Sequence, residues 1–177
     1  MKIKKSRDDK IDEFYILWEL AIAYHKKNNY PVFPIFPKET IASEIKEGLH
    51  YSVYTENNEL IGYFSLALED YIIWEELEKG DAIYIHRMCV NRKFRTYNLS
   101  QIVLSWAYQY VKEAKRRYVR MDTWGDNKQL VKHYTSAGFQ FKKYRKLGSI
   151  PELPSHYDGI LLIMFENDVE EKRLYNA

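Results

Sequence analysis

The chain has few of the residues that mark specialised protein classes. It has one cysteine, Cys89, among 177 residues, so no internal disulfide can form and a cysteine-rich zinc site is excluded. A single thiol also favours a reducing compartment. Glycine and proline number only 7 and 5, which argues against a fibrous or low-complexity chain. These absences favour an ordinary globular protein of the cytoplasm.

Long apolar runs are missing as well. The longest fully apolar stretch, Ile160–Phe165, is far shorter than the roughly 20 residues that a membrane-spanning helix needs. The basic start, Met1–Ser6, is not followed by the apolar segment of a signal peptide. The sequence therefore predicts a soluble cytoplasmic protein without a membrane partner.

The charges are balanced overall but unevenly placed. The net charge is +2, far from that of a dedicated nucleic-acid binder. The basic run Lys112–Arg120 either binds RNA or another acidic partner, or is the solvated end of a helix. No RNA-recognition motif accompanies it, so no nucleic-acid partner is predicted. The acidic stretch Glu69–Asp81 either attracts a cationic amine or keeps a surface connection soluble.

No metal site is predicted. The five histidines form no pair at i,i+3 or i,i+4 spacing, and no cysteine cluster accompanies them.

Hydrophobic periodicity predicts an α/β fold. The length fits one domain over residues 1–177. Apolar residues at helical spacing predict helices up to Lys27 and over Lys38–Glu47, Leu99–Lys115 and Gln129–Ala137. Apolar or alternating runs predict strands at Lys2–Lys5, Tyr51–Thr55, Leu60–Leu68, Ala82–Val90, Tyr118–Thr123, Phe139–Tyr144 and Ile160–Phe165. A mixed sheet with helices on both faces fits this order best.

The strand–loop–helix unit at Ala82–Lys115 is the most informative segment. An apolar strand leads into the basic loop Asn91–Ser100, which opens an amphipathic helix. A helix N-terminus presents unpaired N–H groups and partial positive charge, and Arg92, Lys93 and Arg95 add cations beside it. The unit predicts a phosphate or pyrophosphate site, with a solvated connecting loop as the alternative.

This segment resembles the GNAT acetyltransferases. Their pattern runs roughly Val-x-x-x-x-Arg-Gly-x-Gly-x-Gly/Ala-x-x-Leu-Leu, and Val90, Arg95, Leu99, Val103 and Leu104 fall at the matching positions. The resemblance implies that the backbone of this turn cradles the pyrophosphate of acetyl-CoA. The implied cofactor-binding residues of the turn are Arg95, Thr96, Tyr97, Asn98, Leu99 and Ser100.

A second stretch supports the resemblance. Asn127, Tyr134 and Gly138-Phe139 are similar to the family's strand–Asn–helix–Tyr–x–x–x–Gly–Phe segment. The resemblance implies that Asn127 contacts the cofactor and that Tyr134 is the general acid. It also implies that Met88, Cys89 and Val90 offer backbone groups along the pantetheine arm.

The resemblance sets the expected fold and activity. It implies a GNAT-like mixed, mostly antiparallel sheet of six to seven strands with helices on both faces. The implied function is an N-acetyltransferase that moves the acetyl group of acetyl-CoA to a small-molecule or peptide amine, by direct transfer in a ternary complex. The edge strands allow a homodimer.

Three departures from the glycine pattern support a second hypothesis. Thr96, Asn98 and Ser100 stand where the family uses glycine, which allows positive φ and close approach to phosphate. Asn tolerates the left-handed region and Ser is small, but Thr is β-branched. The alternative is a domain of the same fold that lacks catalysis and acts as a CoA-ligand sensor or interaction module.

Other roles remain open from the sequence. His86, Glu69 and Asp70 are rival general bases. Cys89 is predicted to pack as a small buried residue, because strand residues three apart face opposite sides and His86 cannot then activate it. In the loop Gly148–Gly159, the residues His156, Tyr157 and Asp158 either touch the acceptor or form a turn.

Overall fold

The computed structural model describes residues 1–30, 32, 34–125, 127–153 and 155–170. Seven strands run through it: β1 Lys2–Lys5, β2 His50–Tyr54, β3 Leu60–Ala67, β4 Ala82–Val90, β5 Tyr118–Trp124, β6 Phe141–Lys146 and β7 Leu161–Asp168. The α-helices are α1 Ile11–Lys27, α2 Lys38–Lys46, α3 Tyr71–Trp74, α4 Leu99–Glu113 and α5 Lys128–Ser136. Short 3₁₀ helices lie at Asp8–Lys10, Glu75–Leu77, Arg92–Tyr97 and Ser155–Tyr157.

The strands form a seven-stranded sheet in the order β1-β2-β3-β4-β5-β7-β6. The pairs β1–β2, β2–β3, β5–β7 and β6–β7 are antiparallel. Strand β4 pairs with β5 in parallel, from Ala82 opposite Tyr118 to Ile85 opposite Met121. The predicted fold class, a mixed and mostly antiparallel sheet with helices, is confirmed.

The predicted elements hold, with shifts at their ends. Strand β6 begins at Phe141, whereas an apolar run starting at Phe139 was the expected strand. Gly138, with φ of 101°, ends the turn after α5, and the Phe139 side chain is then buried to 2% exposure before the strand begins. Phe139 is therefore a core residue of the turn. Strand β7 also extends beyond Phe165 to Asp168.

The contacts within the described chain define two compact units. The first comprises residues 1–66 with 86–99, and the second comprises residues 67–85 with the chain from residue 100 onward. The prediction of a single domain stays a prediction. In the first unit, α1 and α2 pack on β3 through a shared apolar core, whose buried members are Phe14, Leu17, Ile41, Ile45 and Tyr63.

The second unit has its own core and a buried cation. The apolar cluster holds Ile73, Trp74, Ala82, Tyr84, Leu147, Leu162 and Met164. The Arg120 guanidinium, 3% exposed, donates to the Tyr84 hydroxyl at 2.9 Å and to Glu166 at 2.8 Å. It also lies 4.9 Å from the Trp74 ring centroid.

This arrangement explains most of the basic run. Arg116 donates to the Leu68 carbonyl at 2.6 Å, and Arg117 donates to Asp168 at 2.9 Å. Together with Arg120, these arginines hold the second unit together.

Within the described ranges, none of the helices is both long and apolar enough to cross a membrane.

Candidate functional site

The basic loop folds as a capped 3₁₀ segment. The Asn91 side chain accepts from the Lys93 N–H at 3.1 Å and donates to the Leu60 carbonyl at 3.0 Å. Phe94 is buried to 7% exposure and anchors the segment from beneath. The capping Asn and the buried aromatic fix the turn that leads to Asn98.

Asn98 makes the sharp change of direction into α4. Its φ of 48° and ψ of 69° lie in the left-handed region, and α4 begins at the next residue. Among Arg95–Ser100, all of them described, Asn98 alone has a positive φ. Thr96 therefore does not occupy a conformation that requires glycine, so its β-branched side chain meets no left-handed backbone here.

The loop cations differ in their partners. Lys93 pairs with Glu59 at 2.6 Å, and the Arg92 guanidinium stacks 3.4 Å from the Tyr24 ring centroid. Arg95 is exposed and forms no ion pair with any described residue. Its charge is thus the one best placed to meet an anion beside the α4 N-terminus.

Strand β4 bends before its predicted cofactor-binding residues. Arg87 has φ of 51° in the middle of the strand. Its guanidinium pairs with Glu44 at 2.5 Å and donates to Ser65 at 3.2 Å. Met88, Cys89 and Val90 follow this bend. A positive φ within a strand is typical of a bulge, which turns the chain and changes its pairing.

Cys89 is a packing residue in the first unit. It packs against the core that contains Tyr63. Burial raises the pKa of its thiol to about 11, so the thiol stays protonated at neutral pH and is a poor nucleophile. Its backbone lies unusually close to β3, because a Cβ atom built on Gly62 would come 2.3 Å from the Cys89 carbonyl oxygen.

Asn127 is the N-cap of α5 in the second unit. Its Oδ1 accepts from the Gln129 N–H at 2.9 Å and from the Leu130 N–H at 3.3 Å. In the following turns of α5, His133 Nε2 lies 3.0 Å from Ser100 Oγ, in the first turn of α4. A polar contact therefore joins the first turn of α4 to the last turn of α5.

Tyr134 presents a protonated phenol. Its ring packs against Phe139 and Phe165, with centroid distances of 5.7 and 5.4 Å. Burial raises the pKa of Tyr134 to about 12, so the hydroxyl keeps its proton at neutral pH. Burial is the only cause of this shift, so no hydrogen bond or charge from a described residue contributes to it. The hydroxyl can therefore donate a hydrogen bond to a ligand.

The rival general bases differ in environment. Burial and the Arg87 charge lower the pKa of His86 to about 4, which makes its neutral imidazole a weak proton acceptor. Glu69 is exposed. Asp70 is partly buried and caps α3, accepting from the Ile73 N–H at 3.0 Å, and burial raises its pKa to about 6.

A further carboxylate was missed from the sequence. Asp122 lies in β5, and burial, with the nearby charge of Asp70, raises its pKa to about 7. An acidic residue inside a predicted strand was the available signal, because buried carboxylates are rare unless they are paired or serve a purpose.

The loop before β7 forms an aromatic cluster. His156 and Tyr157 lie on a 3₁₀ turn, and both rings contact Trp124, at 5.7 and 6.1 Å between centroids. Asp158 is exposed. The loop therefore contains the expected turn, and contact of these residues with an acceptor stays a prediction.

The predicted site residues are divided between the units. Residues 88–90 and 95–99 belong to the first unit, and Ser100, Asn127 and Tyr134 belong to the second. Within the second, the contact between Ser100 and His133 brings the start of α4 to the helix that carries Tyr134.

Similar proteins are acetyltransferases. The chain is 28% identical over 105 residues to the uncharacterized N-acetyltransferase YesJ of Bacillus subtilis, covering 57% of this chain and 58% of that relative. The chain thus spans less than two thirds of this curated relative.

Solved structures share the fold. A GNAT-family acetyltransferase from Listeria monocytogenes superposes with a TM-score of 0.71 at 20% identity, covering 94% of each chain. The structure of yncA from Salmonella typhimurium with its cofactor acetyl-CoA gives 0.64 at 11% identity, covering 96% of this chain and 94% of that one. The spermidine/spermine N-acetyltransferase SpeG from Vibrio cholerae gives 0.64 at 10% identity, covering 99% of each.

The family model described as the acetyltransferase (GNAT) family matches residues 14–139, which include β4, the loop, α4 and Tyr134. The chain therefore belongs to the GNAT acetyltransferase family.

Proposed function

We propose that the protein transfers the acetyl group of acetyl-CoA directly to the nitrogen of an amine acceptor. The conformation of the loop before α4 carries this proposal. Asn98 supplies the left-handed turn, Thr96 needs no positive φ, and Arg95 keeps its charge free of ion pairs among described residues. These features suit a pyrophosphate, which carries negative charge and accepts hydrogen bonds from backbone N–H groups.

The binding roles follow from the positions of the residues. Arg95 is proposed to pair with the pyrophosphate, and the backbone from Thr96 to Ser100 to donate to its oxygens. Met88, Cys89 and Val90, after the bend at Arg87, are proposed to contact the pantetheine arm through their backbone groups. Asn127 already uses Oδ1 to cap α5, so its side-chain NH₂ group is the part proposed to reach the cofactor.

Tyr134 is the proposed acid. When the amine nitrogen attacks the thioester carbonyl carbon, a C–N bond forms, the C–S bond breaks, and the electron pair of that bond goes to sulfur. The ordinary pKa of a cysteine-like thiol is about 8.5, so the leaving thiolate readily accepts a proton or a hydrogen bond. The Tyr134 phenol, protonated at neutral pH, can donate a hydrogen bond to the sulfur as negative charge develops on it. The attacking nitrogen gives up one N–H proton to water as the amide forms, and a proton from water restores the phenol of Tyr134.

The sensor alternative has lost its main support. It rested on the replacement of glycine by Thr96, Asn98 and Ser100, and of these three only Asn98 adopts a left-handed conformation, which Asn tolerates. The proposed acceptor class remains an amine, as for the spermidine/spermine acetyltransferase that shares the fold.

The test separates binding from chemistry. Acetyl-CoA binding is measured by calorimetry on the wild type, Tyr134→Phe, Arg95→Gln and Lys93→Gln, and thiol release is assayed with a panel of amines. We expect Tyr134→Phe to bind normally and to lose roughly 100-fold or more in kcat. Arg95→Gln should bind about tenfold more weakly.

Lys93→Gln is the matched control for charge, because it removes a cation from the same loop that is already paired with Glu59. It should bind within about twofold of the wild type. Failure of the wild type to bind acetyl-CoA would overturn the proposal.

A further inference from the structure

The outward face of α1 holds apolar side chains in solvent. The inward face places Phe14 and Leu17 in the core of the first unit. On the opposite side, Ile16 and Leu20 lie one turn apart and are 57% and 56% exposed, and Ala23 on the next turn is exposed as well. Single exposed apolar residues are ordinary on protein surfaces, whereas a contiguous apolar row is a feature of contact surfaces.

Helix α4 shows how a solvated helix face is built in the same chain. Its inward face is apolar, like that of α1, and its exposed positions recur at the same helical spacing. All of these exposed positions are polar: Gln101, Ser105, Gln109, Lys112 and Glu113. The exposed apolar row on α1 therefore needs an explanation of its own.

The row belongs to a longer stripe that is symmetric in its spacing. The α1 stripe consists of six exposed residues: Asp12, Ile16, Glu19, Leu20, Ala23 and Lys27. It is about 22 Å long at 1.5 Å per residue. A half-turn about the point between residues 19 and 20 exchanges position 12 with position 27 and position 16 with position 23. A second copy laid antiparallel on the stripe therefore matches it position for position.

The charges at the two ends suit this antiparallel arrangement. Asp12 pairs with Lys38 at 2.6 Å within its own copy, yet its side chain is 83% exposed and stays open to a second cation. An antiparallel copy brings Asp12 to the other copy's Lys27, whereas a parallel copy would bring like charges together. An acidic start and a basic end also suit the helix dipole, but the dipole gives no reason for the exposed Ile16 and Leu20 between them.

The edges of the sheet offer a second copy a poorer contact. Both edge strands are rich in cations: Lys2, Lys4 and Lys5 in β1, and Lys142, Lys143, Arg145 and Lys146 in β6. Lysines on an edge strand oppose its pairing with another strand, because like charges would meet across the new ladder. A homodimer through the edge strands, which the sequence allows, is therefore disfavoured relative to one through α1.

We propose that α1 is a self-association surface, on which a second copy of this chain docks antiparallel through the α1 stripe. In such a two-fold contact the same six residues serve both copies. Ile16, Leu20 and Ala23 form its apolar centre, and two pairs of Asp12 with Lys27 close its ends. A contact between two helices lies at the small end of protein interfaces, so we expect a reversible dimer with a Kd on the order of 10 μM. This inference goes beyond the proposed function and does not depend on acetyl-CoA binding.

Sedimentation equilibrium of the full chain, from about 2 to about 200 μM, measures the association. Leu20→Arg places a charge in the apolar centre on both copies and should raise the Kd about 30-fold or more. Arg is a good helix former at an exposed position, so the variant should fold, and circular dichroism checks this. Tyr71→Arg is the matched control, because Tyr71 is 58% exposed in the second unit, and it should leave the Kd within about twofold of the wild type.

A charge exchange tests the antiparallel register. Lys27→Glu faces the other copy's Asp12 with a like charge and should raise the Kd about tenfold, because the contact occurs twice. Asp12→Lys should do the same. The double variant restores opposite charges at both ends and should return to within about threefold of the wild-type Kd. Recovery cannot come from the helix dipole or from the pair with Lys38, because the exchange worsens both.

Three results would overturn the inference. The first is a wild type that stays monomeric at about 200 μM, or a Leu20→Arg variant that associates as tightly as the wild type. The second is a double charge variant that associates more weakly than either single variant, because the proposed register is antiparallel. The third is a monomeric wild type whose Leu20→Arg variant unfolds at a much lower urea concentration, which would show that another segment of the same chain covers the stripe.

Discussion

Arg120 Nε donates to Glu166 Oε2 at 2.8 Å, and the two side chains are only 3% and 10% exposed. Replacing Arg120 by Met leaves the carboxylate of Glu166 buried with Lys142 as its remaining cation, at 2.7 Å. We expect the free energy of unfolding in urea to fall by about 3 kcal/mol. The double variant Arg120→Met with Glu166→Gln should recover part of this loss. A loss below about 1 kcal/mol would show that the pair matters little.

The close approach of β3 to β4 gives a second prediction. A Cβ atom at Gly62 would lie 2.3 Å from the Cys89 carbonyl oxygen and 2.8 Å from Leu99 Cδ2. Gly62→Ala should destabilise the protein by about 1–3 kcal/mol, because backbone atoms must move. Gly148→Ala is the control, since nothing lies within 4 Å of its Cβ. Equal denaturation midpoints for the two variants would contradict the described packing.

Asp122 should make stability depend on pH. Its folded pKa of about 7 exceeds the ordinary value of about 3.9, so the folded state holds the proton more tightly. The associated stability is complete below about pH 4 and is lost as the pH rises through about 7. Relative to the wild type, Asp122→Asn should therefore gain stability between about pH 5 and about pH 8. Urea unfolding of both proteins at about pH 5 and at about pH 8 measures the free energy of unfolding. A difference between the two proteins that does not change with pH would refute the prediction.

The α4 loop offers a test of the glycine pattern. Restoring the family's glycine at position 96 should not tighten acetyl-CoA binding, because Thr96 has no positive φ. Thr96→Gly should instead cost about 0.5–1 kcal/mol of stability through the added freedom of the unfolded chain. Asn98→Val places a β-branched residue at φ of 48° and should weaken both stability and binding, whereas Asn98→Gly should preserve them. Thermal melts measure the stability of the three variants, and calorimetry measures their affinity for acetyl-CoA. Tighter acetyl-CoA binding by Thr96→Gly, or unchanged binding by Asn98→Val, would contradict the prediction.

The regular elements were predictable because their signals are local. The apolar spacing of Leu99, Val103, Ala107 and Val111 predicts α4, and all four are buried. Asn98 was also identifiable as the residue that tolerates a left-handed turn. Phe139 was misplaced in a strand because an apolar residue at a helix end looks the same whether it packs in a turn or in a sheet.

The tertiary roles were not predictable. Arg116, Arg117 and Arg120 look like a solvated basic run, and their partners lie about 35 to 50 positions away in the chain. The proximity of Asp70 to Asp122 depends on where β3 ends relative to β5, which no local pattern encodes. The general acid Tyr134, the cofactor contacts, the homodimer and the cytoplasmic location stay predictions.

The positive φ of Arg87 changes how the end of β4 must be interpreted. Side chains alternate between faces only while the backbone stays extended, and a left-handed residue interrupts that alternation. Arg87 lies between His86 and Cys89, so strand alternation no longer shows that these two side chains face opposite sides of the sheet. The raised pKa of the Cys89 thiol still argues against a role as nucleophile. In β4, the residues that face each side of the sheet must therefore be assigned separately before and after Arg87.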